Sequence, residues 1–440
     1  MTLEMAAALA VLAVVYIFLF IDRVHRTIIS LIGAMTMLLV GKLMGFYDSL
    51  PGEAHPGLEG TALGAIDWNT LGLLFGMMVI VGILDETGLF EYIAIRIAKI
   101  TRGSYWMLML TLGWFTFFTS AFLDNVTSII VVGSVTISIS AILRINPVPL
   151  LISEAIMSGV GGMSTLIGDP PNILIGSAAQ LTFVDFLFTM MPIALVAGMV
   201  TTLVFRWLFR YEISHEVEDQ KGVAALDKNG LIVKPDVLIK MLIVFGGVLI
   251  LFVVHHILHL LPSEVALAGA SLALLWIRPD LVEVLNRTKW DALLFFAGLF
   301  VIVGGLESAG VLAWVAHSIE DLVRSNPLLA LVVVLWGTAV ISSLVDNIPF
   351  TMAMIPILGS LGAAGVEITP LWWAMATGVA IGGNATPIGA SANVYVMSLA
   401  ERKGIPIGFK GWLKVGVPAA LAQLVTASLL LMGMMLTGII

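Results

Sequence analysis

The chain contains no cysteine, which excludes disulfides, thiolate metal sites and a thiol nucleophile. Charge is also scarce. Only 11% of residues are Asp, Glu, Lys or Arg, where a soluble domain carries roughly 25%. A soluble fold of 440 residues would still need a charged surface, so the deficit points to a surface that faces lipid. Enzyme signatures are missing too. No His-Glu-x-x-His helix, Walker loop or dinucleotide fingerprint after a strand occurs. The expectation is a non-enzyme with no cofactor, no bound metal and no nucleic-acid partner. The start reads Met1-Thr2-Leu3-Glu4, with no basic residue before the apolar run and no small-x-small cleavage site after it. The run from Leu3 to Phe20 therefore reads as a first transmembrane helix rather than a signal peptide.

What is present is long apolar stretches. A span needs about 20 apolar residues. That rule places candidate helices near 3–20, 27–47, 68–98, 148–178, 182–210, 236–261, 264–278, 290–321, 369–400 and 411–438. Two further stretches, 105–143 and 327–364, carry a polar tip, Asp124-Asn125 and Asp346-Asn347, and read as helical hairpins. The polar stretch 211–235 reads as a cytoplasmic linker between two halves, 1–210 and 236–440. Ten spans place 19 of the 21 Lys and Arg residues on one side, leaving only Lys42 and Arg324 on the other. The positive-inside rule makes the crowded side cytoplasmic. Both termini are then extracytoplasmic, in a cell (inner) membrane.

The halves repeat one another. Trp68 opens WNTLGLLFGMMVIVGILDETG and Trp290 opens WDALLFFAGLFVIVGGLESAG, an offset of 222 residues. Asp124-Asn125 falls on Asp346-Asn347 at that same offset, and GGMSTLIGDPPN (161–172) falls on GGNATPIGASAN (382–393) with one residue less. Each repeat holds five spans and one hairpin, and an odd number of spans inverts the second copy in the bilayer. The fold class expected is an all-α polytopic membrane protein with two inverted-topology repeats, about ten transmembrane helices, two helical hairpins and two broken helices. Inverted repeats are typical of secondary transporters, whose site lies near the midplane between them.

The repeated polar motifs interrupt apolar segments. Gly and Pro in Gly168-Asp169-Pro170-Pro171-Asn172 allow an unwound turn and remove a backbone donor. Such breaks survive in a bilayer only where they are buried in protein or line a cavity. Candidate ion- or substrate-binding residues are therefore Asp124, Asn125 and Thr127 at the first tip, with Thr165, Gly168, Asp169 and Asn172 at the first break. The second copy adds Asp346, Asn347, Asn384, Thr386, Ser391 and Asn393. An intramembrane carboxylate costs roughly 2.5–3.5 kcal/mol on insertion scales, so each Asp needs a reason. One reason is plain: Asp and Asn cap helix N-termini. The other is coupling to a proton, for which Asp169, Asp124 and Asp346 are the candidates. Asp169 leads, because its partner in the second repeat is Ala390, whereas a purely structural cap should recur, as Asp124 and Asp346 do. An intramembrane protease built on Asp124 and Asp169 would leave the second copy unexplained.

TSAFLDNVTS, IGDPPN, SLVDNIPFTMAMIP and IGGNATPIGASAN resemble the arsenite permease/sodium–proton antiporter (ArsB/NhaD) family of the ion transporter superfamily, nearest its P protein-like branch. The resemblance covers about Trp68 to Gly416. It implies scaffold and transport domains, a homodimer and an elevator motion driven by a proton or sodium gradient. The activity expected from it is proton-coupled export of arsenite or antimonite. Sodium–proton antiport, a dicarboxylate- or citrate-type symporter and a passive anion channel are the alternatives. The partners expected are a small inorganic ion or oxyanion, the lipid bilayer and a separate cytoplasmic ATPase subunit.

Overall fold

The computed structural model of the chain describes residues 2–21, 23–45, 62–101, 104–213 and 234–440. Most of the expected linker 211–235 lies outside these. The described residues are helical, with no strand among them.

The first repeat runs α1 Leu3–Ile21, α2 Arg26–Met44, α3 Trp68–Asp85, α4 Leu89–Ile100, α5 Tyr105–Ser120, α6 Asn125–Leu143, α7 Val148–Gly162, α8 Pro170–Ala179 and α9 Phe183–Leu208. The second runs α10 Pro235–Val254, α11 Pro262–Ile277, α12 Trp290–Ser308, α13 Val311–Ser325, α14 Pro327–Ser342, α15 Asn347–Ala363, α16 Thr369–Ala385, α17 Ser391–Arg402 and α18 Phe409–Leu436. Short helices Arg210–Ile213 and Leu281–Arg287 lie between these elements. Each helix of the first repeat has its counterpart nine places on.

Local chemistry sets the ends. Pro stands in the first turn of α7, α8, α10, α11, α14 and α16, where its missing N–H costs no helical bond. Thr182 and Asp185 form a capping box at the start of α9. Seven helices have the length and hydropathy to cross a bilayer by themselves: α2, α3, α6, α9, α10, α12 and α18. Six of them, with α1, α11 and the two broken spans α7–α8 and α16–α17, correspond to the ten expected crossings; the seventh, α6, is an arm of the first hairpin.

Two expected spans are shorter than the sequence suggested. The apolar runs 68–98 and 290–321 break at Gly88 and Gly310, both with positive φ (73° and 76°). A left-handed residue ends a helix, and glycine adopts it without a Cβ penalty. The chain beyond each break forms an amphipathic helix, α4 or α13, packed against the following hairpin. Phe90, Ala94 and Ala98 mark the buried stripe of α4. Hydropathy averaged across the break hid the turn.

The helices sort into two bodies. In one, α2 packs on α12 and α3 on α11. Glycine permits both crossings: a Cβ at Gly298 would meet the Ser30 backbone at 2.9 Å, and one at Gly76 the Ala266 backbone at 2.7 Å. In the other, hairpin helix α5 packs on α7 and hairpin helix α14 on α16, while α9 and α18 pack together. The bodies meet where α3 touches α8 and α12 touches α15.

Candidate transport site

The hairpin tips reach the helix breaks in mid-span, so both hairpins turn back inside the protein. Each tip is locked to its break by the same hydrogen bonds. Thr165 Oγ1 donates to the Ala121 carbonyl and accepts from Gly168 N at 3.2 Å. Thr386 Oγ1 donates to the Ser343 carbonyl at 2.5 Å and accepts from Gly389 N at 3.1 Å. Asn172 Nδ2 donates to the carbonyls of Gly162, Met163 and Thr165. Asn393 Nδ2 donates to those of Gly383 and Thr386. These side chains pair carbonyls that the break frees from the helix ladder, as the bilayer requires.

One polar atom is left over in each joint. Asn172 Oδ1 and Asn393 Oδ1 are buried and have no hydrogen-bond partner. Carbonyls also converge there: a Cβ at Gly168 would meet those of Gly162, Ser120 and Ala121, and one at Gly389 those of Gly383 and Ser342. Oxygen-rich pockets suit a hard cation.

The tips themselves are capped. Asp124 accepts from Val126 N at 2.9 Å and Thr127 N at 3.2 Å, and the Thr127 hydroxyl also donates to it. Asp346 accepts from Ile348 N at 3.2 Å. Beside them, Asn125 Oδ1 accepts from Ser120 Oγ at 2.5 Å and Asn347 Oδ1 from Ser342 Oγ at 2.7 Å. Asp169 and Ala390 stand at the same point of their breaks, with φ/ψ of −138°/132° and −146°/143°. Asp169 caps nothing: its side chain makes no bond to the α8 amides, and the Asn125 side chain lies against it.

A cavity of about 520 Å³ opens between the two bodies. It brings together Asp124, Asn125, Thr127, Asp169, Asp346, Asn347 and Ser391. The other expected site residues do not line it. Thr165, Gly168, Asn172, Thr386 and Asn393 lie behind it in the tip–break joints. Asn384 is turned away, donating to Gln423 Oε1 at 3.2 Å, and Gln423 in turn donates to Thr201.

Five charged residues of this cavity were not expected in the site: Arg26, Asp85, Arg287, Lys289 and Asp291. Arg26, Arg287 and Lys289 are among the 19 cations that the sequence assigns only to the cytoplasmic side of the membrane. Lys289 Nζ donates to Asp124 Oδ2 at 2.7 Å and to Thr127 Oγ1 at 3.1 Å. Arg26 Nη1 donates to Asp346 Oδ2 at 3.3 Å and Ser391 Oγ at 2.8 Å. Arg287 pairs with Glu86 and Glu283. The first two contacts join residues 165 and 320 positions apart, and no sequence spacing announces them.

Comparison with known proteins bears on this arrangement. The family model described as "CitMHS: Citrate transporter" matches residues 16–378. This chain belongs to the citrate transporter family. Its family is one of transporters, not enzymes. An uncharacterized transporter of Mycobacterium tuberculosis is 37% identical over 433 residues, covering 95% of this chain and 96% of that one. The human P protein is 31% identical over 495 residues, covering 94% of this chain and 58% of its own length, in keeping with the P protein-like motifs. The YdaH transporter of Alcanivorax borkumensis superposes with a TM-score of 0.66 at 14% identity, over 94% of this chain and 99% of that one. That likeness supports the fold alone. The matches assign the chain to the citrate transporter family of the ion transporter superfamily, with homology to the P protein as its motifs implied, and they do not single out the arsenite permease branch.

Proposed function

We propose that this member of the citrate transporter family is a cation-coupled secondary transporter, and that exchange of sodium against protons is its best-supported activity. The carrying observation is charge. Five carboxylates line the cavity, Asp85, Asp124, Asp169, Asp291 and Asp346, against three cations, Arg26, Arg287 and Lys289. Each of the three cations is already paired with a carboxylate. A free anion would find no unpaired cation there, whereas a cation finds excess carboxylate. The unpartnered Asn172 and Asn393 oxygens add to the same preference.

Movement of one body against the other, with α5–α9 and α14–α18 carrying the site, is the alternating-access mechanism that fits this reading. Citrate is a second reading, favoured by the family match. Its negative charge would have to enter together with bound cations. Arsenite, neutral near pH 7, could hydrogen-bond to Asn125, Thr127 and Ser391, but no residue singles it out.

The test is flux in everted vesicles containing the purified protein, with sodium, citrate, arsenite and chloride compared side by side under an imposed proton gradient. Sodium should dissipate the gradient, and citrate or arsenite alone should not. Gradient collapse by chloride without sodium would instead indicate an anion channel and overturn the reading.

A further inference from the structure

The two ion pairs between the bodies are not symmetric across the repeats. The 222-residue offset places Lys289 on Asp67. Asp67 caps its own helix, accepting from Asn69 N at 2.9 Å and from Thr70 Oγ1 at 2.6 Å. The close approaches of Gly298 to Ser30 and Gly76 to Ala266 put Arg26 on Pro262. Two hydrogen bonds confirm that alignment: Thr27 Oγ1 donates to Asp291 O, and its counterpart Ser263 N donates to Asn69 Oδ1. Both cations that hold the tips therefore sit at one end of the α2–α12 and α3–α11 body. Their counterparts at the other end are an acid and a proline.

We infer that Lys289 and Arg26 are tethered counter-cations, which neutralise Asp124 and Asp346 when the cavity opens to their side and must be replaced by cations from solution when it opens to the other. The inference rests on the two-body motion proposed above. In the opposite arrangement the repeat symmetry brings Asp346 towards Asp67, acid facing acid, and leaves Asp124 beside Pro262. An unpaired buried carboxylate is strongly disfavoured, and breaking a pair by removing one partner leaves that charge behind. The other charged groups facing the tips are Asp85 on α3, Asp169 before α8, and Arg287 and Asp291 flanking Lys289. Arg287 is held by Glu86 and Glu283, so none of these supplies the missing cation. Lys289 and Arg26 are in this view positioning residues for coupling. A tip can leave its side only with a bound cation, and on return it displaces that cation against the tethered one.

Linkage gives the test. A cation shifts a conformational equilibrium only if it binds one state better than the other. Ala292 lines the cavity near Lys289, and the chain has no native cysteine. A single Ala292→Cys chain in vesicles is labelled with a membrane-impermeant maleimide from the Lys289 side. Sodium is titrated at fixed pH in one arm, and pH without sodium in the other. Labelling should slow about tenfold as the effective cation rises, and the arms identify which cation it is. In Lys289→Gln the Asp124 carboxylate is unpaired in both states, so its share of the cation dependence should vanish and only that of Asp346 remain, while Lys289→Arg should keep both. Asp124→Asn retains the cap and should also reduce the dependence to the share of Asp346, which covers the case in which Lys289→Gln fails to fold. Wild-type cation dependence in Lys289→Gln or Asp124→Asn would overturn the inference and leave the two-body motion standing. Labelling that responds to neither cation in the otherwise unaltered chain would overturn the motion, and the inference with it.

Discussion

Asp169 and Ala390 occupy one position in the two copies of a break and share its backbone angles, yet only one carries a charge. The three intramembrane acids therefore separate by role. Asp124 and Asp346 accept helix amides and a scaffold cation. Asp169 is 5% exposed and accepts no α8 amide. Asp169→Asn retains size and hydrogen-bonding capacity but removes the charge. Uphill, gradient-driven flux should be lost, while passive exchange of cargo across the membrane should persist in part. Wild-type uphill flux with unchanged pH dependence in vesicles would reject Asp169 as the coupling group. The sequence made this contrast legible because a repeat supplies its own control: a position that differs between copies stands out. It could not show the partners of Asp124 and Asp346, because Lys289 and Arg26 lie at the ends of distant helices and read as ordinary loop charges. Nor could spacing separate Thr127, which lines the cavity, from Thr165, which ties the tip to the break.

At the scale of helices, the hairpins hold their place through glycine. A Cβ at Gly161 would strike the Phe117 backbone, and one at its counterpart Gly382 the Ala339 backbone. These are the contact points of α7 with α5 and of α16 with α14. Overpacking a fitted interface costs about 1–3 kcal/mol. Gly161→Leu and Gly382→Leu should each lower the thermal midpoint in detergent. Gly246 and Gly247 on α10 have no atom within 4 Å of an added Cβ. Ala there should hold or raise the midpoint, because Ala is favoured in helices by up to about 1 kcal/mol. Equal effects at all four sites would contradict the packing described. The repeated glycines were visible in GGMSTLIGDPPN and GGNATPIGASAN, and hydropathy found the hairpins. Helix ends were less legible. Gly88 and Gly310 end α3 and α12, but the amphipathic helices after them are apolar enough on average to read as continued spans.

For the whole molecule, the chain path and the charge distribution make one joint prediction. Glu283 lies between α11 and α12, and His256 between α10 and α11; both are exposed. Glu283→Cys and His256→Cys, placed singly in the cysteine-free chain, should be labelled from opposite faces of the membrane, Glu283→Cys from the cytoplasm. Labelling of both from one face would remove α11 as a crossing and with it the inverted relation of the halves. The architecture was the most legible level, because lipid imposes long apolar runs and duplication imposes an offset. Which cargo crosses depends on a few side chains around one cavity, and there the pattern of the chain is silent.

The ion pairs also divide their charges between the two bodies, with the positive members fixed to α2 and α12 and the negative members on the hairpin tips. Displacing the tips along the membrane normal therefore moves two negative charges through the electric field while their partners stay behind. A full crossing is worth about 2.3 kcal/mol per elementary charge at 100 mV. A tip carrying a cation moves no net charge, whereas a bare tip does. Because a tip leaves its side only with a bound cation, the membrane potential would act on the state that does not cross and hardly on the one that does. The tips would then be electrically silent in both halves of the cycle.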